Sequence, residues 1–294
     1  MTFRDIRRSR KLLSIEEVRL LLLVIVLFAG LLALNIYLAR ILPGGEQFFM
    51  RWSGARAFLF EQIEPYSSTI AERTQNVAYG RQALSSEYPY VLNDPFYIVM
   101  LYIPLALFSD FAIARGLWML LSEAALIGLL IAIVRSFEWE PPRWLFLALV
   151  VYSLFGYYSL TALGAGTPAV VIILLCFFFL AALRTFSDEL AGALLFLISY
   201  QWEVTALFFL FVMVFMIANK RWRILTGFGM SLAILFAISF LTYPGWGLPY
   251  FRAVLADWYA VPNISFGHTA SDWFPNVNID IGLWTALLLG VILF

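Results

Sequence analysis

Residues 20–41 read LLLLVIVLFAGLLALNIYLARI, an apolar run of 22 residues with one basic residue near its end and no acidic one. A bilayer's hydrocarbon core takes about 20 apolar residues per helix, so this run is long enough to cross. It is preceded by Arg4, Arg7, Arg8, Arg10, Lys11 and Arg19. A basic segment before an apolar run can mark a cleaved leader, but this run is long for one and no A-x-A site follows it. It reads as a retained anchor. The rest of the chain has the same character: 63% of its 294 residues are apolar and 13% charged, against about 45–50% and about 25% in soluble domains. The reading is an all-α polytopic transmembrane helix bundle, a single domain spanning 1–294.

Further apolar runs lie near 95–109, 116–134, 144–161, 168–183, 190–218, 224–242 and 281–294, giving about eight spans. The segment SDFAIAR between the second and third predicts a tight helical hairpin, with Asp110 and Arg115 paired at its turn. The sixth run exceeds one crossing and carries Tyr200-Gln201-Trp202-Glu203 at its middle, which predicts a broken or strongly tilted helix. The last run, IGLWTALLLGVILF, is short for a crossing and implies that further spans follow. Cys176 lies in VVIILLCFFFL and reads as a packing residue.

Short flanks rich in Lys and Arg stay in the cytoplasm. The N-terminus is therefore expected there, and alternating crossings bring Lys220, Arg221 and Arg223 to the same side. Two long segments, 43–94 and 243–280, then fall outside. In the first, Phe48, Trp52, Ala55, Leu59 and Ile63 recur every three or four residues and predict an amphipathic helix on the membrane surface. The second carries Trp246, Tyr250, Phe251, Trp258, Tyr259, Trp273 and Phe274, an aromatic density found at membrane interfaces. The two loops are expected to face each other.

Nineteen basic and nineteen acidic residues cancel, so no net charge draws the chain to nucleic acid. His268 is the single histidine, and no metal site or cofactor is expected. Phosphate-loop, dinucleotide-binding, C-x-x-C and H-E-x-x-H motifs are absent. Glu123 and Glu203 fall inside apolar runs, where a carboxylate is costly enough to point to function. Together with the broken sixth run, they leave a transporter or lipid flippase open as a reading.

The stretch GGEQFFMRWSGARAFLFEQIEPYSSTIAERTQNVAYGRQA (44–83), followed by YPYVLNDPFYIVMLYIPLALFSDFAIARGLWMLL (88–121), resembles the first luminal loop and following hairpin of glycosyltransferase family 87. The likeness covers roughly residues 40–135: entry glycines, a W-x-x-x-R-A helix, P-Y, Y-G-R, and a proline-bearing run ending in A-R-x-x-W. It implies a GT-C-like membrane enzyme that moves a sugar, mannose by the family's habit, from a polyprenyl-phosphate donor to a glycolipid or glycan acceptor. The implied setting is the extracytoplasmic face of a bacterial plasma membrane, among membrane lipids. The chain departs from the family at Gln47, where the resemblance places an aspartate, and at Gln201-Trp202-Glu203, where it places Lys-Pro-Gln. A catalytically silent relative is therefore the third reading.

Sugar transfer to a hydroxyl needs a base near that hydroxyl and positive charge around the leaving phosphate. Glu46, beside the entry glycines, and Asp94, ahead of the second run, are the candidate catalytic bases. Asp94 also fits an N-cap with Pro95 in the first turn. Arg56, Arg51, Arg81 and Arg252 are the candidate phosphate ligands, since a guanidinium grips two oxygens at once. Arg56 is the first choice, because it matches the loop-helix arginine of the resemblance, though it also stands one turn from Glu61.

Overall fold

The computed structural model describes residues 15–84 and 87–260. The run 281–294, His268, Trp273, Phe274 and the basic residues 4–11 lie outside them, as do the side chains of Glu203, Trp258 and Tyr259. The described residues form helices and no strand: α1 (Ile15–Ile41), α2 (Glu46–Arg56) continued by a π turn (Ala57–Glu61), α3 (Ser68–Tyr79), α4 (Phe96–Leu101), α5 (Ile103–Ala106), α6 (Phe111–Ser136), α7 (Arg143–Phe155), α8 (Tyr157–Ala165), α9 (Ala169–Arg184), α10 (Asp188–Ile198), α11 (Trp202–Ala218), α12 (Arg223–Thr242) and α13 (Gly247–Ala260).

Three helices, Leu22–Ile41, Phe111–Ser136 and Arg223–Thr242, are long and apolar enough to cross a membrane. Helices α7 and α8 add a fourth crossing if they count as one span bent by 41° at Gly156. Little of these helices is covered by protein: Leu23, Leu147 and Leu241 stand 61%, 64% and 84% exposed. Apolar surface this continuous would not remain in water, and the chain is an integral membrane protein.

Helices α1 and α6 run antiparallel. At one end Arg40 pairs with Asp110 at 3.0 Å, and deeper in the pair Asn35 Nδ2 donates to Glu123 Oε2 at 2.8 Å. Between these contacts Gly116 lets the backbones approach, since a Cβ there would lie 2.9 Å from the Ile36 nitrogen. A side-chain amide bonded to a carboxyl satisfies both groups where no water can. The Asp110 carboxylate also caps α6, accepting from Ala112 N at 2.8 Å. The expected Asp110–Arg115 pair does not form: Arg40, rising from α1, answers the aspartate.

Two predicted spans are built differently. Segment 95–109 makes only the short helices α4 and α5, ten helical residues, about 15 Å of rise against a core of about 30 Å. Its two ends remain beside α2, where Asp94 pairs with Arg51 and the Ala106 carbonyl accepts from Arg56. The run 190–218 breaks at Ser199–Gln201 and folds back on itself. Arg221, just past α11, reaches the Asp188 carboxylate and the Leu183 carbonyl, so the far end of α11 lies beside the start of α10.

Helices α10 and α12 run side by side on two glycines. A Cβ on Gly192 would lie 2.0 Å from the Ile224 oxygen, and one on Gly227 would lie 2.1 Å from the Glu189 oxygen. Backbone meets backbone there, and neither side can yield. Gly192→Leu is expected to destabilise the bundle by about 1–3 kcal/mol or more, the range for overpacking. Thermal unfolding in detergent micelles checks it, and an unchanged melting temperature would mean that the helices do not cross at these residues.

Helix α2 departs from the predicted surface helix. Phe48, Trp52 and Ala55 are buried as the spacing requires, but so are Met50, Arg51, Ser53 and Gly54 on its other sides. Phe48 stacks on Trp118 with ring centroids 5.4 Å apart, and Gly166 packs against its Cβ. The helix is wrapped by its neighbours. Its apolar stripe ends early because the π turn places an extra residue in the turn and rotates the side chains beyond it. Leu59 is exposed, and Ile63 lies beyond the helix.

Candidate functional site

The first loop and the segment after α12 meet at one end of the bundle, the end where α1 finishes and α6 begins. Tyr66 packs against Tyr250 with ring centroids 6.0 Å apart, and Phe58 and Phe96 both meet Tyr243. Buried Asp257 joins them further: its Oδ1 accepts from the Tyr88 hydroxyl at 2.8 Å and its Oδ2 from Asn93 Nδ2 at 2.7 Å. Burial raises the Asp257 carboxyl above the usual aspartate range, and the Tyr88 and Asn93 bonds offset part of that rise.

Asp94 does not cap α4, whose N-cap position is Pro95. Its carboxylate turns to Arg51, with Oδ2 2.6 Å from Nε, and the two side chains are 3% and 4% exposed. A second guanidinium nitrogen donates to Oδ1 at 3.2 Å, and Arg51 Nη1 donates to the Gln47 carbonyl at 2.9 Å. The pair is set among tyrosines. The Tyr66 hydroxyl donates to the Asp94 carbonyl at 3.0 Å. Burial raises the phenols of Tyr66, Tyr97 and Tyr250, and the nearby Asp94 charge adds to each. These phenols stay neutral, and the Nε–Oδ2 contact of the Arg51–Asp94 pair is an ion pair without an aligned hydrogen bond.

Glu46 has a different setting. It opens α2 after Gly44 and Gly45, whose φ angles of 109° and 81° only glycine adopts without strain. It is half-buried and makes no hydrogen bond or ion pair with another described residue. Two groups lie within its field: the Arg115 guanidinium and Tyr90, whose phenol is pushed up to about 12 by burial and then by Glu46. Arg115 is held by the carbonyls of Leu42 (2.9 Å), Pro43 (3.1 Å) and Gly164 (3.1 Å). Leu42 and Pro43 lie just past the end of α1 and Gly164 in the last turn of α8, where carbonyls have no partner within the helix. A Cβ on Gly45 would lie 2.6 Å from Arg115 Nε, so glycine is required there twice over.

The other arginines are scattered. Arg81 forms a two-pronged pair with Glu87 at 2.7 Å. Arg56 donates to the Ala106 carbonyl at 3.1 Å and lies over the Trp52 and Phe60 rings. It does not pair with Glu61, which Arg73 takes at 2.7 Å. Glu46 and Arg56 begin and end α2, ten residues or about 15 Å apart along its axis. Arg252 on α13 is exposed and has no ion pair among the described residues.

Reading the residues in order did not pick out Asp257, and it gave Arg115 the wrong partner. Their partners are 164 and 49 or more residues away in the chain. The available signal was a lone aspartate and a lone arginine beside otherwise apolar or aromatic residues. Among the described residues no group of three or more His, Cys, Asp or Glu is placed to hold a metal ion.

Compared with known protein families, residues 92–294 match glycosyltransferase family 87. The match includes Asp94, Arg115, Arg252 and Asp257, and it begins after Glu46. No curated protein and no solved structure matches the chain.

Proposed function

Since the chain belongs to glycosyltransferase family 87 and is built of membrane helices, we propose that this membrane glycosyltransferase takes a sugar, mannose in the first instance, from a polyprenyl-phosphate donor. The acceptor is a hydroxyl of a glycolipid or glycan, and the reaction proceeds at the end of the bundle where residues 46–94 and 243–257 meet. That end faces away from the cytoplasm, a side supported by the basic residues around α12's start at the opposite end.

The observation that carries the reading is the contrast between the acids. Asp257 accepts hydrogen bonds at both oxygens and Asp94 is buried in an ion pair with Arg51, whereas Glu46 is half-exposed, unbonded and within the field of the Arg115 cation. In the proposed step the acceptor oxygen attacks the anomeric carbon and gives its proton to Glu46. The bond from that carbon to the phosphate oxygen breaks, and polyprenyl phosphate leaves with the electron pair. Glu46 takes over the role that the resemblance gave to position 47, from the first position of α2, where Gly45 turns the chain into the helix. Arg252, exposed on the helix that carries Asp257, meets the leaving phosphate. Arg51–Asp94 is the buried brace behind the site, and Asp257 ties α13 to it.

Membranes carrying the full-length protein and a radiolabelled polyprenyl-phosphate mannose are expected to transfer label to endogenous acceptor. Absence of transfer with mannose and with several other sugars favours the silent relative. Sidedness is tested separately at exposed Ser68, the first residue of α3. Ser68→Cys is expected to react with a membrane-impermeant maleimide on intact cells. Reaction only after permeabilisation would invert the proposed topology.

A further inference from the structure

Arg56 closes α2 at the end away from Glu46, and that end has a ligand chemistry of its own. We propose that Arg56 anchors the phosphate of a membrane phospholipid at a site separate from the sugar-transfer centre. The proposal rests on the membrane placement above and not on the transfer chemistry.

Arg56 is half-buried and makes no ion pair: Glu61, the nearest acid along the chain, lies within its field but is bonded to Arg73. Its one hydrogen bond runs from Nη1 to the Ala106 carbonyl, leaving the other guanidinium protons without an acceptor among the described residues. Trp52 and Phe60 hold it, with centroids 5.9 and 5.0 Å from the guanidinium carbon. The surround is apolar and outward-facing. Phe60, Leu107 and Phe108 are 56%, 63% and 42% exposed, on the same end of the bundle as the Arg40–Asp110 pair at the mouth of α1 and α6.

An arginine clamped by rings, short of acceptors and flanked by exposed apolar side chains has the makeup of a lipid headgroup contact. The side chains meet acyl chains, and the guanidinium takes two phosphate oxygens. A sugar or a soluble anion would leave Phe60, Leu107 and Phe108 facing water, whereas a phospholipid covers both kinds of surface at once. The distance along α2 keeps this phosphate away from Glu46.

Native mass spectrometry of the full chain in detergent, titrated with phosphatidylglycerol, polyprenyl phosphate and inorganic phosphate in separate experiments, reads the site. Wild type is expected to retain phosphatidylglycerol, and Arg56→Gln to weaken that binding about tenfold. Arg56→Lys is expected to weaken it less, and Arg40→Gln, at the same end but paired with Asp110, to leave it unchanged. Equal loss with Arg40→Gln overturns the proposal in favour of general surface charge. Binding of polyprenyl phosphate but not phosphatidylglycerol overturns the separation from the donor site, and binding of inorganic phosphate as tight as that of phosphatidylglycerol overturns the lipid. A photoactivatable phosphatidylglycerol on wild type needs no variant to fold. It is expected to label peptides containing residues 56–60 or 106–108, and labelling confined to other regions contradicts the site. None of these readouts depends on sugar transfer, so the two proposals fail independently.

Discussion

Arg51→Met is expected to destabilise the protein by about 3–5 kcal/mol, because it strands a buried carboxylate without its cation. Asp94 is 3% exposed, and the guanidinium approaches both its oxygens. Its surroundings are tyrosines, whose hydroxyls are weaker partners for a charge than a guanidinium. The carboxylate must then take up a proton or admit water, and either route costs part of what the pair supplies. Asp94→Leu is expected to cost a similar amount by stranding the guanidinium. The double variant Arg51→Met, Asp94→Leu is expected to cost well below the sum, because two neutral side chains leave no orphaned charge. Unfolding of the three variants in micelles, followed by tryptophan fluorescence, checks the cycle. Additive effects, or a single variant costing under about 1 kcal/mol, would mean that water reaches the pair and it is no buried brace.

The membrane class was legible because it depends on composition and run length, which need no tertiary information. α1 is the plainest case, with α6 and α12 close behind. The helical character of 43–94 was also legible, since Phe48, Trp52 and Ala55 keep a helical spacing. Spacing alone could not show that Met50, Arg51 and Ser53 would be covered as well, because a period reports one apolar face and says nothing of what wraps the other.

The two altered spans have a common cause. Hydropathy measures whether a segment avoids water, and a segment buried against protein avoids it as well as one facing lipid. Segment 95–109 is apolar because Phe96, Ile98 and Val99 fill the core beneath α2. The polar residues at 200–203 correctly marked a break, but a break is compatible with a kink or a reversal. The direction of the chain beyond it is set by Arg221 meeting Asp188, 33 residues away.

The site was legible in its residue types more than in its pairings. Glu46, Asp94 and the arginines were visible as charges in an apolar chain. The partners of Arg51, Arg115 and Asp257 were not, because each bond closes a loop of dozens of residues and leaves no local pattern. Asp94 shows the consequence: Asn93-Asp94-Pro95 reads as a cap when only its neighbours in sequence are considered, whereas an arginine 43 residues upstream takes the carboxylate.

The proposed transfer stands or falls with Glu46 as its base, and Glu46→Gln probes that role with the least disturbance. Glutamine keeps the size and hydrogen-bonding reach of the side chain and removes only its capacity to accept the acceptor's proton. Position 46 is half-exposed and unpaired, so the change leaves no buried charge behind, unlike a change at Asp94. Transfer from radiolabelled polyprenyl-phosphate mannose is measured in membranes of the full-length protein, normalised to folded enzyme. Glu46→Gln is expected to lose about 10²–10⁴-fold in turnover with its melting temperature unchanged. Wild-type turnover in Glu46→Gln, alongside loss of turnover in an Asp94→Asn variant that still folds, would contradict the assignment and give the role to Asp94.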